Sequence, residues 1–533
     1  MIFTSWTFLV IFLPIAVLGF WGVSLLGQRA ASLWLILASL TFYGFWAPYL
    51  ILLISCSIAF NYGVSVLIRR HMANPRLQAW LLAAGVTVDL GALFYYKYLA
   101  ATLAFLLGDH FYHVHGLAAI ILPLGISFFT FTQIGYLVDC KEGSTTDNNF
   151  TDYVLFVTFF PHLIAGPLLH NTEMMPQFAD RKTYRFEAPN VAAGLTIFVI
   201  GMMKKSLIAD PLSPLAAPGF ADPAAMHLFG AWGAALAYSL QLYFDFSGYS
   251  DMAIGLALLF NIRFPANFNS PYKARNIIDF WQRWHMSLTR YLTQYLYNPI
   301  ALSLRRRRMA RGLPMSRKAL SAPIPFVSMV IFPTVATMGL AGIWHGAGLQ
   351  FLIFGLLHGT YLAVNHAWRT YGPKAPKTPR PLPLRWGVAA SQWLLTYLAV
   401  LVAQVFFRAS SDAKAVSLLA AMVGGHGVEH PVPFPAGDSI ARWLHHAGSL
   451  TEIAPDSRRQ LVYILLGFAL VLLAPNSQQI MAEAKPIPGP APPPAPGLLR
   501  WRPSLGWSLA VGVAATVSLL SLGGTSEFLY FQF

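Results

Sequence analysis

Apolar runs recur along almost the whole chain, near 8–26, 32–45, 49–67, 78–107, 116–138, 151–168, 190–208, 228–246, 251–262, 289–303, 324–343, 348–368, 386–408, 460–475 and 505–522. A helix needs about 20 apolar residues to cross a hydrocarbon core of about 30 Å. The longer runs meet that length, and the pattern predicts an all-α, polytopic membrane protein with roughly 11 to 13 crossings. Several runs are too short to cross, Pro123 and Pro161 interrupt two others, and 78–107 has a weak point near Tyr95–Tyr98. Broken helices at membrane depth are tolerated where they line an enclosed cavity, so half-helices or re-entrant helices are expected as well. One helical bundle, residues 1–533, is therefore a better expectation than a string of soluble domains.

Composition supports this reading. The chain is 56% hydrophobic and only 11% charged, whereas soluble domains carry about 25% charged residues. Its net charge of +15 does not point to nucleic acid, because the basic residues cluster between apolar runs as cytoplasmic loops do. Arg69, Arg70 and Arg76, the run Arg305–Arg308, and Lys374, Lys377, Arg380 and Arg385 are expected to face the cytoplasm and its anionic lipid. The junction between runs 324–343 and 348–368 then points to the opposite side. So does the polar segment 409–457, a candidate outer docking surface. Residues 476–502 form a cytoplasmic loop whose Pro-rich part, 485–499, reads as a stiff, extended linker. The start of the chain lacks a basic leader, and its first run is expected to stay as an anchor. Cys56 and Cys140 suggest neither a disulfide framework nor a metal site.

The chemistry concentrates in a few polar residues inside apolar sequence. His345 stands in Ala341-Gly-Ile-Trp344-His345-Gly-Ala-Gly348. An ionisable group at membrane depth marks function by default, and imidazole moves protons near neutral pH. A second group is Gln241 to Asp251. Here Asp245, Ser247 and Asp251 either line a substrate path or, with Gly248 making a turn, cap the following helix. A third runs from Asn267 to Asn276 and includes Asn269-Ser-Pro-Tyr272; a helix over 276–295 follows, carrying Asp279, Arg283 and His285. Arg275, Asp279 and Arg283 stand at i,i+4 spacing, and Trp281 belongs to the apolar stripe of that helix. Taken alone, His285 reads as a hydrogen-bonded structural residue and His358 as an interhelical hydrogen-bonding group. His110, His113 and His115 cluster in an expected outer turn. Neither metal-ligand spacing nor a phosphate-binding or serine-nucleophile motif is present.

Together, Tyr43-Gly-Phe-Trp46, Leu122 to Phe131, Phe159 to Pro167, Asp245 to Met252, Asn269 to Tyr272, Phe280 to Leu288 and Ile343 to Gly348 resemble the membrane-bound O-acyltransferase (MBOAT) family. The likeness is to its bacterial branch of alginate O-acetylation and teichoic acid D-alanyl transfer proteins. That resemblance implies a ring of tilted helices around a central tunnel, with His345 as the principal catalytic histidine and His285 as the second active-site group. It implies acyl transfer from a cytoplasmic thioester (acetyl-CoA or carrier-bound) to a hydroxyl, with no tightly bound cofactor. His345 would take the hydroxyl proton, and His285 or a backbone N–H would hold the oxyanion. Asp245, Ser247, Asp251, Asn269, Tyr272, Trp281, Arg283, Trp344 and His358 are the candidate tunnel residues. The expected setting is the bacterial inner membrane, with a secreted or periplasmic transferase partner and a polysaccharide acceptor such as alginate. D-alanyl transfer, or an exporter or scaffold without catalysis, are the competing readings.

Overall fold

The computed structural model describes residues 1–107, 122–145, 149–373, 381–428, 455–490, 492–522 and 529; for Phe105 and 455–459 only the backbone is described. Every regular element among them is helical. Six helices are long and apolar enough to cross a membrane: Thr7–Ser24, Tyr49–Arg70, Pro75–Ala104, Ala188–Ala221, Pro323–His345 and Leu382–Arg408. This is fewer than the 11 to 13 crossings expected. Leu228–Leu258 and Leu349–Tyr371 are long enough, but buried polar residues lower their hydropathy. Other runs form shorter pieces, such as Gln28–Gly44 and Ile126–Glu142. The weak point near Tyr95 is not a break. The helix continues through a π turn at Phe94–Tyr98, which re-aims side chains without releasing the backbone.

Two helix pairs organise the interior. Ala188–Ala221 packs along the 31-residue helix Leu228–Leu258. Gly201 and Gly248 face each other there, and a Cβ at Gly248 would stand 2.7 Å from the Gly201 carbonyl. Small residues allow this close backbone approach, as helix contacts in lipid require. The second pair is Phe332–His345 with Leu349–Tyr371. Gly342 and Gly355 meet at its contact, each leaving no room for a Cβ beside the other's backbone. This hairpin ends the first helix at His345 and turns through Gly346 to Gly348.

Between Leu258 and Ile277 the chain is mostly irregular yet largely buried at Ile262, Phe264, Asn267 and Phe268. Such backbone survives in a membrane protein where protein encloses it, as the expected half-helices require. In the segment 409–457, expected to face outside, the helix Asp412–Met422 buries Ala415, Leu418 and Ala421. The rest of that segment, 429–454, lies outside the described residues, as do His110, His113 and His115.

The Pro-rich loop departs from its expected extended form. It doubles back, with the Ala495 N–H donating to the Gln479 carbonyl at 2.8 Å and that of Trp501 to Ile480 at 2.9 Å. Asn476 caps the helix Ser477–Ile480 reciprocally with Gln479, and Glu483 pairs with both Arg500 and Arg502. These closures at its base outweigh the extended preference of the prolines.

Candidate active site

His345 is buried at the C-terminal end of its helix. The orphan carbonyls of that helix end are met by side chains from Pro75–Ala104. The Lys97 ammonium donates to the Trp344 carbonyl at 2.6 Å, and the Tyr98 hydroxyl to that of Ile343 at 2.9 Å. A cation here also complements the negative end of the helix dipole. The π turn at Phe94–Tyr98 therefore anchors the backbone beneath the candidate catalytic ring.

His345 lines a cavity of about 30 Å³, room for one or two waters, lined also by His285, His358, Trp281, Trp284 and Phe407. It also lines a second cavity, of about 110 Å³, with Lys97, Ser127 and Trp344. Phe407 and Phe354 set their rings edge-on to His345 at centroid distances of 5.0 and 5.9 Å.

His285 does not lie inside one continuous helix, as the sequence pattern suggested. The helix Ile277–Trp281 ends, Gln282 to His285 turn, and a new helix runs Met286–Leu292. His285 has φ +43°, a left-handed conformation that is costly for a non-glycine residue and gathers at functional sites. Asn267 holds it in place. Its side-chain oxygen lies 2.9 Å from His285 Nδ1 and accepts from the Ser287 hydroxyl at 2.9 Å, while its amide donates to Ser250 at 3.0 Å. Asn267→Ala is expected to lower stability by about 1–3 kcal/mol, because it strands several buried polar groups; thermal unfolding of the purified protein measures this.

His358 accepts a hydrogen bond at Nδ1 from the Trp281 indole, 3.2 Å away, which bears out its reading as an interhelical bond. His345, His285, His358 and Trp281 thus share one cavity, with Trp344 beside it.

The other candidates lie elsewhere. Asp245 and Asp251 are not caps, and neither lines the two cavities at His345. Leu228–Leu258 runs straight through them, and Gly248 makes helix contact instead of a turn. Asp251 pairs with Lys204 at 2.6 Å and Asp245 with Lys205 at 2.9 Å. Ser247 is buried on the same helix. Tyr272 is buried with its hydroxyl between Ser239 and Gln404. Arg283 pairs with Asp279 at 2.7 Å. Asn269 reaches Asn476 of the Pro-rich segment at 2.9 Å and lines a larger cavity of about 930 Å³, walled by that loop and by Arg290, Asn298 and Trp281. Trp281 lines both this vestibule and the histidine cavity. Sequence reasoning missed Lys97, Phe354 and Phe407, of which only Lys97, a lone charge in an apolar run, carried a local signal; it placed Asn267 in a polar cluster without its part in holding His285.

No cluster of metal-binding side chains occurs among the described residues. Three buried histidines thus gather at one cavity of a polytopic helical bundle, and His345 also lines a second. The profile of the membrane-bound O-acyltransferase family matches residues 139–313. The chain is 38% identical to the peptidoglycan O-acetyltransferase of Helicobacter pylori, over 80% of this chain and 81% of that one. It is 36% identical to the probable alginate O-acetylase AlgI of Azotobacter vinelandii over the whole of both. It is 27% identical to the teichoic acid D-alanyltransferase of Bacillus subtilis over 47% of this chain and 60% of that one. The chain belongs to the membrane-bound O-acyltransferase family and is a multi-pass membrane O-acyltransferase.

Proposed function

We propose that the protein transfers an acetyl group from a cytoplasmic thioester, through the bacterial inner membrane, to a hydroxyl acceptor for acetylation of a secreted or cell-envelope polysaccharide. The observation that carries this reading is that His345 lines two cavities whose other walls are entirely different residues. The relatives named as O-acetylases match this chain over far more of its length than the D-alanyltransferase does, which favours acetyl as the transferred group.

The vestibule beside the Pro-rich loop is the entry for the donor. It lies along the segment that leads through Asn298 to Arg305–Arg308, the charge cluster that positive-inside asymmetry assigns to the cytoplasm and that attracts a phosphate-bearing thioester. The acceptor enters from the cavity beside Lys97 and Ser127. Its oxygen attacks the thioester carbonyl carbon as His345 takes the hydroxyl proton. The tetrahedral intermediate collapses, the C–S bond breaks, and the proton passes to the departing thiolate. Phe354, Phe407 and Trp284 keep the reaction space too small for bulk water, which would otherwise hydrolyse the thioester. A secreted or periplasmic transferase that relays the acetyl group docks on the outer segment 409–457.

Mass analysis of extracellular and envelope polymers, from cells with and without this protein, tests the reading. Loss of acetyl esters is expected. Unchanged acetylation with altered export or assembly would move the protein to the exporters or scaffolds. Labelled acetyl-CoA and an acetyl-charged carrier protein, offered separately to purified protein, identify the donor; transfer of D-alanyl in preference to acetyl would overturn the choice of acyl group.

A further inference from the structure

We propose that His358 donates a hydrogen bond from Nε2 to the carbonyl oxygen of the acyl donor as negative charge develops there. This rests on the acyl-transfer reading above and adds a catalytic residue to it.

The argument is one of fixed tautomers. An indole N–H can only donate, so the Trp281 contact makes Nδ1 of His358 the acceptor. A neutral imidazole then carries its proton on Nε2. The ring lines the small cavity that His345 lines. Packing holds its orientation: Phe280 lies parallel at 6.2 Å between centroids, and Phe354 stands edge-on at 4.8 Å. Phe354 also meets His345, so the two histidines are set against one aromatic ring.

His285 has the opposite polarity. The Asn267 atom near its Nδ1 also faces the backbone N–H of Ser287, 3.4 Å away, and the Ser287 hydroxyl. A backbone N–H identifies that atom as the carbonyl oxygen. Nδ1 of His285 is therefore the donor to Asn267, and the neutral ring keeps its lone pair on Nε2. To hold an oxyanion through Nε2, His285 would need a second proton. His358 donates there while neutral. The Trp281 contact thus leaves His358 a donor while neutral, and stabilisation of the carbonyl oxygen is assigned to His358. Donors preorganised in a dry site are worth most where charge develops.

The test uses full-length protein and whichever of acetyl-CoA and acetyl-charged carrier protein the wild type turns over, read as release of free thiol. Glutamine retains an N–H near the position of Nε2 and leucine does not. His358→Leu is expected to lower kcat about 10²- to 10³-fold, the usual loss of one such donor, with KM within about 3-fold. His358→Gln is expected to recover most of kcat. Trp281→Phe frees the tautomer and should lower kcat in the presence of His358, yet add nothing to His358→Leu. If His358→Leu harms folding, His358→Gln and Trp281→Phe carry the test: kcat kept in the first and lowered in the second.

Equal losses in the leucine and glutamine variants, a loss confined to KM, or additive effects of Trp281→Phe and His358→Leu would each overturn the assignment. His345→Ala separates the two levels. If it turns over like wild type, or if the wild type uses neither donor, the acyl-transfer reading falls and this inference with it. If it is inactive while the His358 variants behave alike, only this inference falls.

Discussion

Replacing His345 with alanine is expected to lower kcat/KM for acyl transfer by about 10³-fold, within the usual range for removing a positioned general base. The protein is expected to stay folded. The His345 helix is held by the Gly342–Gly355 contact and by Lys97 and Tyr98 on its last carbonyls, none of which uses the imidazole. The ring itself meets mainly aromatic edges, so the variant loses packing and leaves a small space next to an existing cavity. Thermal unfolding and activity should therefore separate: a modest fall in the unfolding midpoint with almost complete loss of turnover. An alanine variant that keeps more than about a tenth of wild-type activity would show that another group takes the proton, and the candidates then are His285 and His358 in the same cavity.

How far the site was legible in the sequence follows from where each constraint originates. His345 was readable because its signal is local: one imidazole among glycines between two apolar runs. The break at His285 was not, because the turn is pinned by Asn267, 18 residues upstream, whereas the apolar positions on either side keep helical spacing through the interruption. The pairing of Trp281 with His358 spans 77 residues, and nothing in either neighbourhood announces the other. Asp245, Gly248 and Asp251 misled for a related reason. Two carboxylates around a glycine look like a turn with caps, but their lysine partners lie 40 and 47 residues earlier, at the end of an apolar run. The all-helical membrane class was legible throughout, since it depends only on length and apolarity. The count of crossings was not, since π turns, polar helix interiors and irregular buried segments all read as apolar sequence.

The buried lysine Lys205 leads to the second large effect. Lys205 is almost fully buried between Asp245, likewise buried, and Asp210, at 2.9 and 2.7 Å. Asp245 also accepts the Leu529 backbone N–H at 3.0 Å. Lys205→Met would leave the Asp245 carboxylate in a low-dielectric interior without its cation. Breaking a buried pair from one side costs about 3–5 kcal/mol, because desolvation of the remaining charge is no longer offset. The expected result is a large fall in folded protein recovered from the membrane and in its unfolding midpoint. Replacing both partners, Lys205→Met with Asp245→Leu, removes the uncompensated charge and should recover much of that loss. Recovery stays incomplete, because the Leu529 N–H is left without its acceptor, at about 1–3 kcal/mol for a buried group. Asp210 is part-exposed and can be solvated once Lys205 is gone. A single variant as stable as wild type, with turnover reduced instead, would return Asp245 to the substrate path that the sequence pattern left open for it. A double variant that is folded and active would confirm that these charges hold the Ala188–Ala221 and Leu228–Leu258 helices together and take no part in the chemistry at His345.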